Sequence, residues 1–213
     1  MKHQSRFLTA EWNNVFLLNY AVDASLLERF VPAGTELDLF EGRTYLSLVG
    51  FEFNRLRIFG LPVPFHQSFE EVNLRFYVRR SSKRGVVFIR ELVPKYAAAA
   101  VARFAFNENY SRVSMSHRIE TRADGGVAEA EYAWGSGQDR CSMRIETEGT
   151  SFLPPDGSLG QFITEHYWGY RHNRVAAASN TRSGIRHGLY GKPSAHVFPE
   201  TPPCSMEPTS RKP

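Results

Sequence analysis

Between Phe69 and Val78 the side chains alternate in kind. Glu71, Asn73, Arg75 and Tyr77 stand at every second position, with Val72, Leu74, Phe76 and Val78 between them. Successive side chains of a strand point to opposite faces, so the polar set shares one face and the apolar set the other. The apolar face belongs to a core. The polar face gathers an acid, an amide, a guanidinium and a phenol, which suits either bulk solvent or the lining of a pocket for a small polar ligand. Farther on, Arg90-Glu91-Leu92-Val93-Pro94-Lys95 places a lysine where an apolar strand ends. Such a lysine either caps a surface or stands at a pocket mouth. In the second setting lost hydration disfavours the ammonium, and free amine is the form that makes Schiff bases with carbonyl substrates.

Other reactive residues are less suggestive. Glu165-His166 and His172 do not have the spacing of a zinc-binding HExxH helix, and each histidine reads first as a structural hydrogen-bonder. Cys141 and Cys204 form neither a CxxC pair nor a Cys/His zinc pattern, and Cys141 reads as a small core residue. There is no G-x-S-x-G elbow, P-loop or GxGxxG turn. No metal and no cofactor is expected.

Strands must carry these residues. Residues 11–22, 37–40, 44–53, 71–79, 86–93, 111–120, 127–134 and 141–148 read as strands from their aromatic and β-branched content and from the turn residues between them. Glu41-Gly42-Arg43 reads as a hairpin turn, Ser81 to Gly85 as a longer one, and residues 54–68 as a loop. Asp23 caps a short helix over 24–30, the alanine-rich stretch 96–106 is a helix, and Ser158 caps another over 158–166. Eight strands with two or three short helices imply a mostly-β (α+β) domain, a barrel or a strongly curved sheet.

Composition narrows the function class. The chain of 213 residues is 42% hydrophobic and 23% charged, a globular balance. Its net charge is +4, yet residues 174–213 hold six basic and two acidic groups, which leaves the body neutral. A nucleic-acid protein carries its positive charge on the folded body, so no nucleic-acid partner is expected. No apolar run approaches the ~20 residues of a membrane helix, and Met1 to Arg6 leads into no long apolar stretch. A cytoplasmic protein with a small-molecule ligand, no membrane partner and room for homo-oligomerisation is the default.

Taken in order, several segments resemble a known family. They are Trp12, Val22-Asp23, Val31-Pro32-Ala33-Gly34, Leu37-Asp38, the run from Gly42 to Phe51, the run from Glu71 to Val78, Gly85-Val86-Val87-Phe88, and the run from Phe162 to Tyr170. The chain resembles the bacterial family filed as domain of unknown function 2071, the YqjF-like proteins, over residues 10–172. That family is similar in fold to acetoacetate decarboxylase, a closed β-barrel with short flanking helices and an internal pocket. The resemblance implies a catalytic lysine at Lys95, after Arg90, Glu91 and Pro94, and a glutamate at Glu71. The decarboxylase has a second lysine after the first, where this chain has Tyr96, so an alternative source of amine activation would be needed.

Three functions follow from these residues. In the first, Lys95 forms a Schiff base with a small oxo acid while Glu71 and Arg75 handle protons and carboxylate. In the second, Glu71, Asn73, Arg75 and Tyr77, with Arg90 and Glu91, orient a small polar or carboxylate-bearing molecule without covalent chemistry. In the third, the domain is structural or binds a partner. The reading favours the second.

Residues 1–174 are expected to form one barrel domain and 175–213 an irregular tail holding six of the twelve prolines. Relatives continue with a strand like Tyr-Glu-Val-x-His-Pro-x-Trp and later a Leu-Tyr-Gly segment, neither of which is expected in this register. Permitted codons for Ser179 to Gly188 read two bases on give Gln-Tyr-Glu-Val-Arg-His-Pro-Ala-Trp, and Cys204 to Glu207 can yield Leu-Tyr-Gly in the same frame. The tail therefore reads as out of frame, with the barrel lacking its last strands.

Overall fold

The computed structural model describes residues 8–62, 68–95, 110–149, 153–170 and 192–193. Their strands are β1 (Leu8–Val22), β2 (Glu36–Leu37), β3 (Thr44–Ile58), β4 (Leu61–Pro62), β5 (Phe69–Arg80), β6 (Lys83–Val93), β7 (Tyr110–Arg112), β8 (Met115–Thr121), β9 (Val127–Trp134), β10 (Cys141–Glu148), β11 (Trp168–Tyr170) and β12 (Lys192–Pro193). Two short helices are α1 (Ser25–Glu28) and α2 (Leu159–Thr164). The Ser158 hydroxyl accepts from the Gln161 amide, so that expected cap forms, whereas the N-cap of α1 is Ala24 and Asp23, one residue earlier, accepts only from the Ser25 amide in a local turn.

The main sheet runs β1-β3-β5-β6-β11, with β2 beside β5, β4 beside β3 and β7 beside β6. Its pairings are antiparallel except those of β6 with β7 and β11, which are parallel. The second sheet runs β12-β10-β9-β8. Between β7 and β8 the chain crosses from one sheet to the other. That crossing divides the single strand expected over 111–120.

Both faces of the main sheet are covered. Leu18, Leu48, Val72 and Leu92 pack against Tyr132, Trp134, Met143 and Ile145 of the second sheet. On the same face Phe76, Val78 and Val87 pack under Leu27 of α1. The opposite face carries Tyr77 and Val86 under Phe162 and Ile163 of α2. The expected barrel does not close: among the described residues no strand pairing joins β1 to β11 or β8 to β12. The sheet is covered by layering instead, the second sheet on one face and α2 on the other.

Two turn expectations change. Asn54 to Ile58, expected as loop, extends β3, because Leu56 keeps an inward position between Arg55 and Arg57 and the segment pairs with the start of β1. Gly85, expected in a turn, lies inside β6 opposite Trp168 of β11, and the β5–β6 turn is only Ser81-Ser82. A Cβ on Gly85 would stand 2.4 Å from the Trp168 carbonyl oxygen, so the glycine permits close approach rather than a turn. The expected 37–40 strand shrinks to β2: past it the Asp38 amide still donates to the Tyr77 carbonyl oxygen, and Phe40 makes a single bridge to Arg43. The alanine-rich helix over 96–106 lies outside the described residues. So does the tail beyond Tyr170, apart from β12.

Candidate functional site

Strand β5 is the axis of the site. Its polar set faces inward: Glu71 is 2% exposed, Asn73 0% and Tyr77 1%. Register adds neighbours to that face. Asn73 lies opposite Glu91 of β6 and Val49 of β3, while Arg75 lies opposite Ser47 of β3 and Phe88 of β6. Glu91 is 2% exposed and Ser47 0%. A buried acid–amide pair anchors one end, where the Asn73 Nδ2 donates to Glu71 Oε1 at 2.9 Å. With Nδ2 on Glu71, Asn73 Oδ1 points the other way.

Arg75 is the half-buried cation of this face. Its guanidinium carbon lies 5.9 Å from the centroid of the Tyr77 ring, and its Nε is enclosed without a hydrogen-bond acceptor. Among the described residues no carboxylate forms an ion pair with it. Asn73 Oδ1 is likewise enclosed without a donor.

The other end is a network that the sequence reading did not assemble. Ser47 Oγ donates to Asn19 Oδ1 at 2.5 Å and meets the Tyr77 hydroxyl at 2.6 Å. Since the Ser47 proton is committed to Asn19, the Tyr77 phenol donates to Ser47. The His166 ring packs 4.6 Å from Tyr77 and 4.9 Å from Phe162, centroid to centroid. His166 Nε2 lies 3.0 Å from Asp38 Oδ2, which also accepts from Arg84 Nε at 2.7 Å. Burial, followed by the Arg84 charge, pushes the imidazole down to about 4 against the pull of Asp38. His166 is therefore the structural hydrogen-bonder expected of it. Asp38 and His166 both sit in segments that carried the family resemblance, so their presence was visible and their contact was not.

Not every candidate joins the face. A β-bulge leaves Ile89 of β6 between Phe88, the partner of Arg75, and Arg90, the partner of Leu74. Arg90 falls opposite Leu74, on the side of Val72 and Phe76, whereas Glu91 falls on the side of Asn73. Lys95 lies beyond the end of β6 and its ammonium donates to the Ser68 carbonyl oxygen at 2.6 Å, in an exposed setting. Among the described residues no group of three or more His, Cys, Asp or Glu is arranged to hold a metal ion. No helix among them is long and apolar enough to cross a membrane.

A profile of the family DUF2071, described as an uncharacterized conserved protein, matches residues 9–196. The chain belongs to the DUF2071 family. Within that family it is similar to the uncharacterized protein YqjF of Bacillus subtilis, at 35% identity over 105 residues, 49% of this chain and 43% of YqjF. The chain thus matches less than half the length of that relative. In solved structures this DUF2071 chain is similar in fold to an acetoacetate decarboxylase-like enzyme from Sphingomonas wittichii RW1, with a TM-score of 0.53 and 11% identity over 77% of this chain and 63% of that one. It is also similar to the enduracididine biosynthesis enzyme MppR complexed with pyruvate, with a TM-score of 0.50 and 15% identity over 70% of this chain and 59% of that one. These likenesses show a mostly-β, acetoacetate decarboxylase-like fold.

The DUF2071 match extends into the segment after residue 174. It runs to residue 196, and β12 within that extension pairs with β10 through Thr147–Pro193 and Glu148–Lys192. Leu189-Tyr190-Gly191 also stands there in the chain's own register, so one of the two segments sought in a shifted frame is present without a shift.

Proposed function

We propose that this chain binds a small carboxylate-bearing molecule on the buried face of β5, held by Arg75 and oriented by Asn73, with Glu71, Tyr77 and Glu91 as surrounding polar groups. The carrying observation is Arg75. A guanidinium whose Nε is buried without an acceptor is costly, by roughly 1–3 kcal/mol for the lost hydrogen bond alone. A carboxylate meets a guanidinium with charge-assisted bonds and offsets that cost. The likeness to a protein complexed with pyruvate suggests pyruvate as a first probe. Covalent chemistry is not part of this reading, because Lys95 is tied to a backbone carbonyl in an exposed setting.

Calorimetric titration of the full chain with pyruvate tests the reading. We expect saturable binding, strongly weakened by Arg75→Gln. At 100 times the dissociation constant the ligand should stabilise the fold by about 2.7 kcal/mol, visible as a raised melting temperature. Borohydride reduction in the presence of pyruvate should leave the mass unchanged. An adduct on Lys95 would replace this reading with a Schiff-base lyase.

A further inference from the structure

Two buried polar atoms of opposite character stand two residues apart on one face of β5. Arg75 Nε is a donor without an acceptor, and Asn73 Oδ1 is an acceptor without a donor. Asn73 is fully buried, and its Nδ2 donates to Glu71 Oε1, which leaves Oδ1 as the amide atom without a partner. Alternate residues on one strand face are ~6.8 Å apart. A ligand joining these atoms must therefore offer an anionic acceptor at one end and a hydrogen-bond donor a short distance away.

We infer that the site selects a hydroxy acid, a carboxylate with a hydroxyl on the 2- or 3-carbon, over the corresponding oxo acid or unsubstituted acid. This inference rests on the carboxylate-binding reading above and adds to it the Asn73 acceptor. The carboxylate meets Arg75 and the hydroxyl donates to Asn73 Oδ1. A keto oxygen brings a second acceptor to an acceptor. It leaves Asn73 Oδ1 unpaired and sets two oxygen lone-pair regions against each other. An unsubstituted acid leaves the same atom unpaired. Sites built to hydrogen-bond a hydroxyl reject analogues lacking it far more strongly than apolar pockets reject an added methylene.

The test is calorimetric titration of the full chain with lactate, 3-hydroxybutyrate, pyruvate, propionate and butyrate at one pH and salt concentration. Lactate is expected to bind at least tenfold more tightly than propionate or pyruvate, and 3-hydroxybutyrate at least tenfold more tightly than butyrate. In Asn73→Ala the hydroxyl advantage should fall to about one, with the simple acids still bound through Arg75. Arg75→Gln should weaken all five alike. Advantages below threefold for both hydroxy acids, or pyruvate matching lactate, overturn the hydroxyl inference and leave carboxylate binding standing. No binding by any of the five overturns both. The series on the unaltered chain decides the matter even where a variant fails to fold.

Discussion

His166 is neutral in the folded chain at ordinary pH because its side chain is only 1% exposed and the Arg84 cation stands close by. Its folded value of about 4 lies below the ordinary 6.5 of an unfolded histidine. The unfolded chain therefore takes up the proton first as pH falls. Stability from this group is fully present above pH 6.5 and is lost progressively toward pH 4. A shift of that size corresponds to a loss on the order of 3 kcal/mol. Urea unfolding across this range should show a falling midpoint, less steep in His166→Gln, which keeps a donor for Asp38 but cannot be charged. Identical slopes would mean that His166 does not carry the effect. The residues of this cluster show why a sequence yields components more readily than a site. Asp38, Arg84 and His166 are separated by up to 128 positions, and only the pairing of β2 and β6 with β5 and the docking of α2 bring them together. The 71–77 set, by contrast, was readable because one strand supplies all four side chains and the period of two fixes their common face.

Elements in this fold are joined by close contacts with little slack. Gly85 and Gly50 make a useful pair. A Cβ on Gly85 would meet a backbone oxygen of β11 at 2.4 Å, whereas on Gly50 it would meet the tip of Met143 at 2.5 Å and the Tyr132 ring at 2.8 Å. A methionine tip moves easily and a paired strand does not. Gly85→Ala should therefore cost more than Gly50→Ala, about 1–3 kcal/mol for the former, and thermal unfolding of the two variants checks the order. The sheets are also joined by a polar contact. His117 of β8 sits with Nε2 3.1 Å from Glu52 Oε1 and Nδ1 2.8 Å from Glu70 Oε1, and Glu52 and Glu70 are directly paired on β3 and β5. His117 thereby binds the second sheet to two strands of the first and spaces apart two like charges. Replacing it with alanine removes both contacts and leaves the carboxylates facing each other. We expect destabilisation of about 1–3 kcal/mol, largely relieved by adding Glu70→Gln, which a double-mutant cycle reads directly. Strands β9 and β10 were legible residue for residue, since clear turns bound them. The ends of β3 and β5 were not, because polar residues such as Asn54 and Glu70 remain in strands whose neighbours satisfy the backbone.

At the scale of the molecule, mostly-β character followed from strand content, but layering rather than closure could not be read from it. Alternation tells which face is apolar and not what covers it. The second sheet supplies that cover, and β12 makes its edge part of the family-matching region. A chain ended after residue 196 should keep its melting temperature, whereas one ended after residue 174 should lose several degrees, since it uncovers the edge of β10. Equal melting curves for the two would show that β12 adds nothing. The bulge at Ile89 has a reach wider than its size. Before it along β6, even-numbered Val86 and Phe88 share the face of Tyr77 and Arg75; after it, odd-numbered Glu91 and Val93 share the face of Asn73. One added residue thus reverses parity within a single strand, so that apolar packing on α2 and acidity beside Asn73 occupy the same side. Deleting Ile89 would leave Phe88 and Glu91 two residues apart and on one face by ordinary alternation, whereas a regular strand that kept Ile89 would turn one half of β6 inside out relative to the other. A single deletion should accordingly be tolerated at Ile89 and not elsewhere between Gly85 and Val93, which makes β6 a place where the length of the chain, and not only its chemistry, is under constraint.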